Sequence, residues 1–169
     1  MSRKVLILDT SVLCCLLKVP GKTTAGPSND SWDFKRIDTL LEIERKNGST
    51  FVLPTATLIE TGNHIAQCSD FRFELATALC VILKSAAGAE SPWAPFNDQS
   101  ELWETANLIE LADKWPTFAA KKMSIGDTTI KHVAEHYAAA GMNVEILTGD
   151  QGLKAYQPVH KISIPRRRC

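Results

Sequence analysis

Three short apolar runs, each followed by an acidic residue, constrain this chain more than any other feature of its sequence. Residues 5–8 (VLIL), 51–53 (FVL) and 144–147 (VEIL) are rich in branched and aromatic side chains. Each is too short for a stable helix and suits a strand buried on both faces of a parallel sheet. Asp9 ends the first run, Asp150 closely follows the third, and Glu60 lies two helical turns beyond the second. A fourth acid, Asp127, opens the helical pattern that precedes the third run. Open parallel sheets carry their sites at the carboxyl ends of the strands. Carboxylates gathered there repel one another unless a cation neutralises them. Clustered oxygen donors of this kind suit Mg²⁺ or Mn²⁺. The expectation is a metal-dependent phosphodiesterase site.

Between these runs the pattern alternates strand with helix. Ser11 can cap a helix over 12–18, and the polar stretch 21–30 (GKTTAGPSND) makes a loop. A helix over 32–46 carries Phe34, Ile37, Leu40, Leu41 and Ile43 on one side and stops at Asn47–Gly48. A strand over 50–53 leads through Pro54 into a helix holding Leu58, Ile59 and Ile65. Asp70 caps a helix over 71–86, residues 91–97 are a loop, and Gln99 or Ser100 opens a helix to about Ala112. Residues 113–124 are irregular, with a break at Trp115–Pro116. Asp127 begins a strong helix that ends at Gly141, a residue suited to the left-handed cap. A strand over 143–147 follows, and residues 161–164 suggest a final edge strand. The fold class is α/β: one domain over residues 1–169, a three-layer α/β/α sandwich around a mostly parallel central sheet.

Composition narrows the partners. The formal net charge is zero, so no global positive field draws in nucleic acid. Local basic patches at Arg3–Lys4, Lys121–Lys122 and Arg166 to Arg168 are the sequence's own means of meeting phosphates, although solvated surface is the commoner use of such runs. The five cysteines show neither paired nor zinc-type spacing, which favours reduced thiols and a cytoplasmic location. Arg3–Lys4 followed by VLILDTSVLCCLL imitates a signal peptide, but Asp9 interrupts it and no small-residue cleavage site follows. No run is long enough to span a membrane.

The ordered motifs LDTSVL, TLIETGN, GDTTI and LTGD resemble those of the PIN domain, and among PIN domains the VapC-like ribonuclease toxins of toxin–antitoxin modules. The resemblance covers essentially the whole chain in order and spacing. It implies a metal-dependent endoribonuclease whose acidic quartet would be Asp9, Glu60, Asp127 and Asp150. Asp9 and Asp150 would be direct ligands of Mg²⁺ or Mn²⁺, Asp127 a direct or water-mediated ligand, and Glu60 an outer-sphere orienter or base. Ser11 and Thr148 match small polar positions of the motifs and would hydrogen-bond the ligands or their waters. The family further implies an RNA substrate (single-stranded DNA presents the same phosphates), frequent homodimers, and restraint by an antitoxin or other inhibitory protein. Two departures stand out. Residues 19–31 and 113–124 make this chain longer than the compact toxins, and Ile130 and Lys131 stand where a fifth acid would accompany Asp127.

The same residues bear on two other classes. A haloacid-dehalogenase-like phosphatase also ends its first strand in Asp, but needs a second Asp where this chain has Ser11. A catalytically silent PIN-fold binding module would be marked by loss of acids, and all four are present. His64, His132 and His136 lack a third soft ligand and read as packing or solvated residues. Trp93, Trp103 and Trp115 read as core or interface residues rather than base-stacking platforms.

Overall fold

The computed structural model describes residues 4–158. The expected edge strand over 161–164 and the arginines at 3 and 166–168 lie outside these residues. Strand β1 (Lys4–Leu8) runs between β4 (Thr50–Val52) and β5 (Asn143–Leu147), and both pairings are parallel. Consecutive side chains on a strand point to opposite faces, and the two cores follow that period. Leu6 and Leu8 pack with Phe51 and Leu147 in one core, whereas Val5 and Ile7 join Val52 and Ile146 in the other. Helices α1 (Thr10–Leu17), α2 (Phe34–Lys46), α3 (Thr55–Ala66) and α4 (Arg72–Ala87) supply the first core. Helix α6 (Ile125–Ala139) covers the second with Ile130, Val133 and Ala134. The result is an α/β protein with helices flanking a three-stranded parallel sheet, consistent with the expected three layers.

On each outer edge of this small sheet one residue finds partners outside the sheet. The Gln157 side chain accepts from Ile146 N and donates to Ile146 O, each at 2.8 Å. On the other side Phe51 N donates to Pro92 O and Ala94 N to Phe51 O, also at 2.8 Å. Unpaired strand groups invite association with another chain, and these contacts satisfy them at Ile146 and Phe51.

Several boundaries differ from the sequence expectation, each for a local reason. Helix α1 begins at Thr10 because Asp9, not Ser11, caps it: the Asp9 carboxylate accepts from Ser11 N. Trp32–Asp33 is strand β3, paired antiparallel with β2 (Thr24–Ala25) inside the expected loop. Asp33 then caps α2 by accepting from Arg36 N at 2.8 Å. On α2 the expected apolar Ile43 is half exposed, and Glu44 is buried instead, satisfied by Lys4 at 2.7 Å and Ser49 at 2.5 Å. Asp70 does not cap α4; that helix starts after Phe71, which sits in the left-handed region at φ 59°.

Residues 96–103 form a 3₁₀-helix whose buried Gln99 holds Thr55 N and Leu53 O, fixing the carboxyl end of β4. Helix α5 (Thr105–Ala119) passes through Pro116 rather than breaking there. Proline forfeits one helical donor, but its carbonyl still accepts from Ala120 N, and Trp115 Nε1 reaches Met123 O at 3.3 Å. Ser124, three residues before Asp127, caps α6, and Gly141 beyond its end takes φ 82°. The short helix α7 (Gln151–Lys154) follows β5.

Candidate active site

All four predicted acids line one cavity of about 430 Å³. Asp9 directly follows β1 and Asp150 leaves the loop after β5, so both stand at the carboxyl end of the sheet. Helix α3 brings Glu60 and the start of α6 brings Asp127. Two hydrogen bonds hold the sheet end itself: Asp9 N donates to Leu147 O at 3.0 Å, and the buried Thr57 hydroxyl donates to Leu8 O at 2.8 Å.

Asp9 is 4% exposed and accepts the Ser11 hydroxyl at 2.6 Å and the Thr148 hydroxyl at 2.8 Å. Both hydroxyls also accept: Ser11 from Gly149 N and Thr148 from Asp150 N, each at 2.9 Å. A hydroxyl can donate and accept at once, which explains why both positions carry one. Together they tie the loop of the last acid to the first. These bonds all fall on Asp9 Oδ2, leaving Oδ1 without a partner among the described residues. Thr148→Val should remove one donor to the buried Asp9 carboxylate and leave the Asp150 N–H without its hydroxyl partner. The expected cost is about 1–3 kcal/mol of stability, measured by denaturant unfolding.

Glu60 Oε2 accepts the Thr10 hydroxyl at 2.9 Å. Gly126 makes room for the other oxygen, because a Cβ there would overlap Glu60 Oε1. Asp127 occupies the third position of α6 and exchanges bonds with Ser124 in a capping box, accepting its hydroxyl at 2.8 Å. Asp150 caps α7 through Gly152 N at 2.6 Å and Leu153 N at 3.1 Å. Helix capping and cavity lining therefore coexist in Asp9, Asp127 and Asp150.

The acids sense one another. Burial pushes the Glu60 carboxyl above its ordinary value, the Thr10 hydroxyl opposes this, and Asp127 and Asp9 push further upward. Burial likewise raises Asp127, against its bond from Ser124, with Asp9 and Asp150 adding to the rise. A carboxyl whose folded pKa is raised binds its proton more tightly folded than unfolded. Its contribution to stability is complete below the unfolded value, about 4.3 for Glu, and is lost as pH climbs through the folded value. Without divalent ions, Glu60→Gln should therefore melt above wild type at pH 7. That advantage should shrink as pH falls through the carboxylate range, a trend that melting curves across pH will check.

None of the four acids forms an ion pair with Lys, Arg or His among the described residues. Nor do three or more Asp, Glu, His or Cys side chains come together closely enough to hold a metal ion by themselves among those residues. The donor set still fits a hard cation: Mg²⁺ keeps several waters and takes one or two carboxylates directly. Cysteine is a poor contributor here. Cys14 borders the cavity, but burial pushes its thiol up to about 11.

Three further residues shape the cavity: His64, expected only to pack or meet solvent, Trp32, expected in a helix, and Gly149. His64, one turn beyond Glu60, lines the same cavity. Trp32 is buried and its indole donates to Thr148 O at 3.1 Å, steadying the loop before Asp150. Gly149 permits the close approach of residues 25–26, since a Cβ there would stand 2.7 Å from Ala25 Cβ. The other aromatics lie elsewhere: Trp93 packs edge-on against Phe51 at 5.8 Å, and His136 stands 3.9 Å from Glu101. Among the described residues no helix is long and apolar enough to cross a membrane. Compared with known proteins, the chain matches no family model, no curated protein and no solved structure.

Proposed function

We propose that this protein is a Mg²⁺- or Mn²⁺-dependent endoribonuclease of the PIN type. One observation carries the reading: four carboxylates from distant chain segments border one cavity at the carboxyl end of a parallel sheet, with no ion pair among the described residues. Such crowding is costly unless a cation or a proton relieves it.

Asp9 and Asp150 would hold the ion, with Asp127 as a third direct or water-mediated contact. When bound, a divalent ion lowers the pKa of water and offsets negative charge developing on phosphorus. Ser11 and Thr148 keep Asp9 oriented, since both donate to its Oδ2. Glu60 keeps Oε2 on Thr10 and has Oε1 free of hydrogen bonds among the described residues. Its raised proton affinity suits it to accept a proton from the attacking water at Oε1. The water oxygen would bond to phosphorus as the bond to the 3′-oxygen breaks, and the departing oxygen would take a proton from solvent water, leaving a 5′-phosphate and a 3′-hydroxyl. No attack by a 2′-hydroxyl is needed, so single-stranded DNA is a chemically competent alternative substrate. By the same resemblance, a toxin-like role restrained by an inhibitory protein, and pairing as a homodimer, belong to this proposal.

Purified protein incubated with single-stranded RNA should cut it in Mg²⁺ or Mn²⁺, stop with chelator, and leave 5′-phosphorylated products. Cleavage that survives chelation, or cyclic-phosphate ends, would overturn the metal mechanism. Release of phosphate from small monoesters with intact RNA would favour the phosphatase reading instead.

A further inference from the structure

The segment over residues 19–31 forms one wall of the acidic cavity, to which Lys22, Thr24 and Ala25 contribute. It is held in place rather than hung from its ends. Ala25 and Gly26 lie against Gly149, where even a methyl group would not fit. Trp32, immediately beyond the segment, donates its indole to Thr148 O, and its own carbonyl and that of Lys22 both receive Cys15 Sγ, at 3.8 and 3.7 Å. Asp30 is gripped by Lys154 from α7 and by Arg36 from α2. Apart from Arg36 on α2, these anchors end on the elements that carry Asp9 and Asp150. The wall is thus tied to Asp9 and Asp150.

Lys22 is exposed at this wall and makes no ion pair among the described residues. A lysine meant to neutralise the acids would contact one of them. A chain of zero net charge has no general attraction for a polyanion, and the carboxylates themselves repel one. A cation at the cavity rim, off the carboxylates, meets that need. The Thr24 hydroxyl beside it adds an uncharged donor.

We propose that the 19–31 segment is a substrate clamp, with Lys22 and Thr24 binding a backbone phosphate of the polynucleotide beside the one that is cut. This rests on the nuclease reading for its substrate class but not on catalysis. The test is fluorescence anisotropy of a labelled single-stranded oligoribonucleotide, titrated with wild type, Lys22→Gln, Lys22→Arg and Lys84→Gln at several salt concentrations. Lys84 is an exposed lysine on α4 and serves as the control. Lys22→Gln should weaken binding roughly fivefold whatever the sequence, and lower the slope of log affinity against log salt by about one. Lys22→Arg should restore most of the affinity, and Lys84→Gln should bind like wild type. Equal affinity and salt slope for wild type and Lys22→Gln overturn the clamp, as does a wild type that binds no oligonucleotide. Cleavage measured in parallel separates the two readings. A protein that cuts RNA with an unchanged KM in Lys22→Gln keeps its nuclease function and loses the clamp. One that binds through Lys22 without cutting keeps the clamp and loses the nuclease.

Discussion

Asp9→Asn should lower RNA cleavage by roughly a hundredfold or more, since even groups that merely orient metal ligands are worth ten- to a hundredfold. The protein should nevertheless fold. Asparagine keeps an oxygen that can accept from Ser11 N, Ser11 Oγ and Thr148 Oγ1, so the cap of α1 and the bracket to the last loop survive. It removes the charge that pushes Glu60 and Asp127 upward. Melting within a few degrees of wild type together with lost cleavage is the expected pair of results. A folded Asp9→Asn that cuts at the wild-type rate would exclude Asp9 from the chemistry.

Gly126→Ala should also separate activity from stability. The new methyl would meet the far end of the Glu60 side chain, which is flexible and can swing aside. Alanine is also the better helix former, by up to about 1 kcal/mol over glycine in a helix interior and less in the first turn. The melting temperature should hold or rise. Glu60, however, would lose its seat over α6 and its bond from Thr10, and cleavage should fall by roughly tenfold or more. A variant that is both stable and fully active would show that the position of Glu60 is irrelevant to the reaction.

These two positions show how far the sequence could be read. Asp9 was legible because a charge directly after a four-residue apolar run is hard to place except at a sheet end. The alternation of strand and helix was legible for the same reason: branched runs too short for helices, spaced by helical periods. Gly126 was not legible, although it stands inside the GDTTI motif. Its role is to be absent as a side chain, and only the position of Glu60 on another helix reveals the need. Trp32 was misplaced in a helix because its aromatic ring fits either pattern. What decides is Asp33, whose carboxylate captures Arg36 N and starts α2 one residue later. Glu44 in place of Ile43 was missed because burial there depends on Lys4 and Ser49, which are remote in sequence or beyond the helix. Local pattern reaches the elements and the strand-end acids. It does not reach the contacts between elements, such as the 19–31 wall on Gly149.

Mn²⁺-dependent thermal denaturation tests, without any substrate, whether the acidic cavity binds a divalent cation. Ligand that binds only the folded state stabilises it by about 2.7 kcal/mol at a hundredfold excess over its dissociation constant. Wild type should show a saturable rise in melting temperature with Mn²⁺ that chelator reverses, and Asp9→Asn and Asp150→Asn should each lose most of it. A wild-type melting temperature indifferent to Mn²⁺, or an equal rise in all three proteins, would contradict the account.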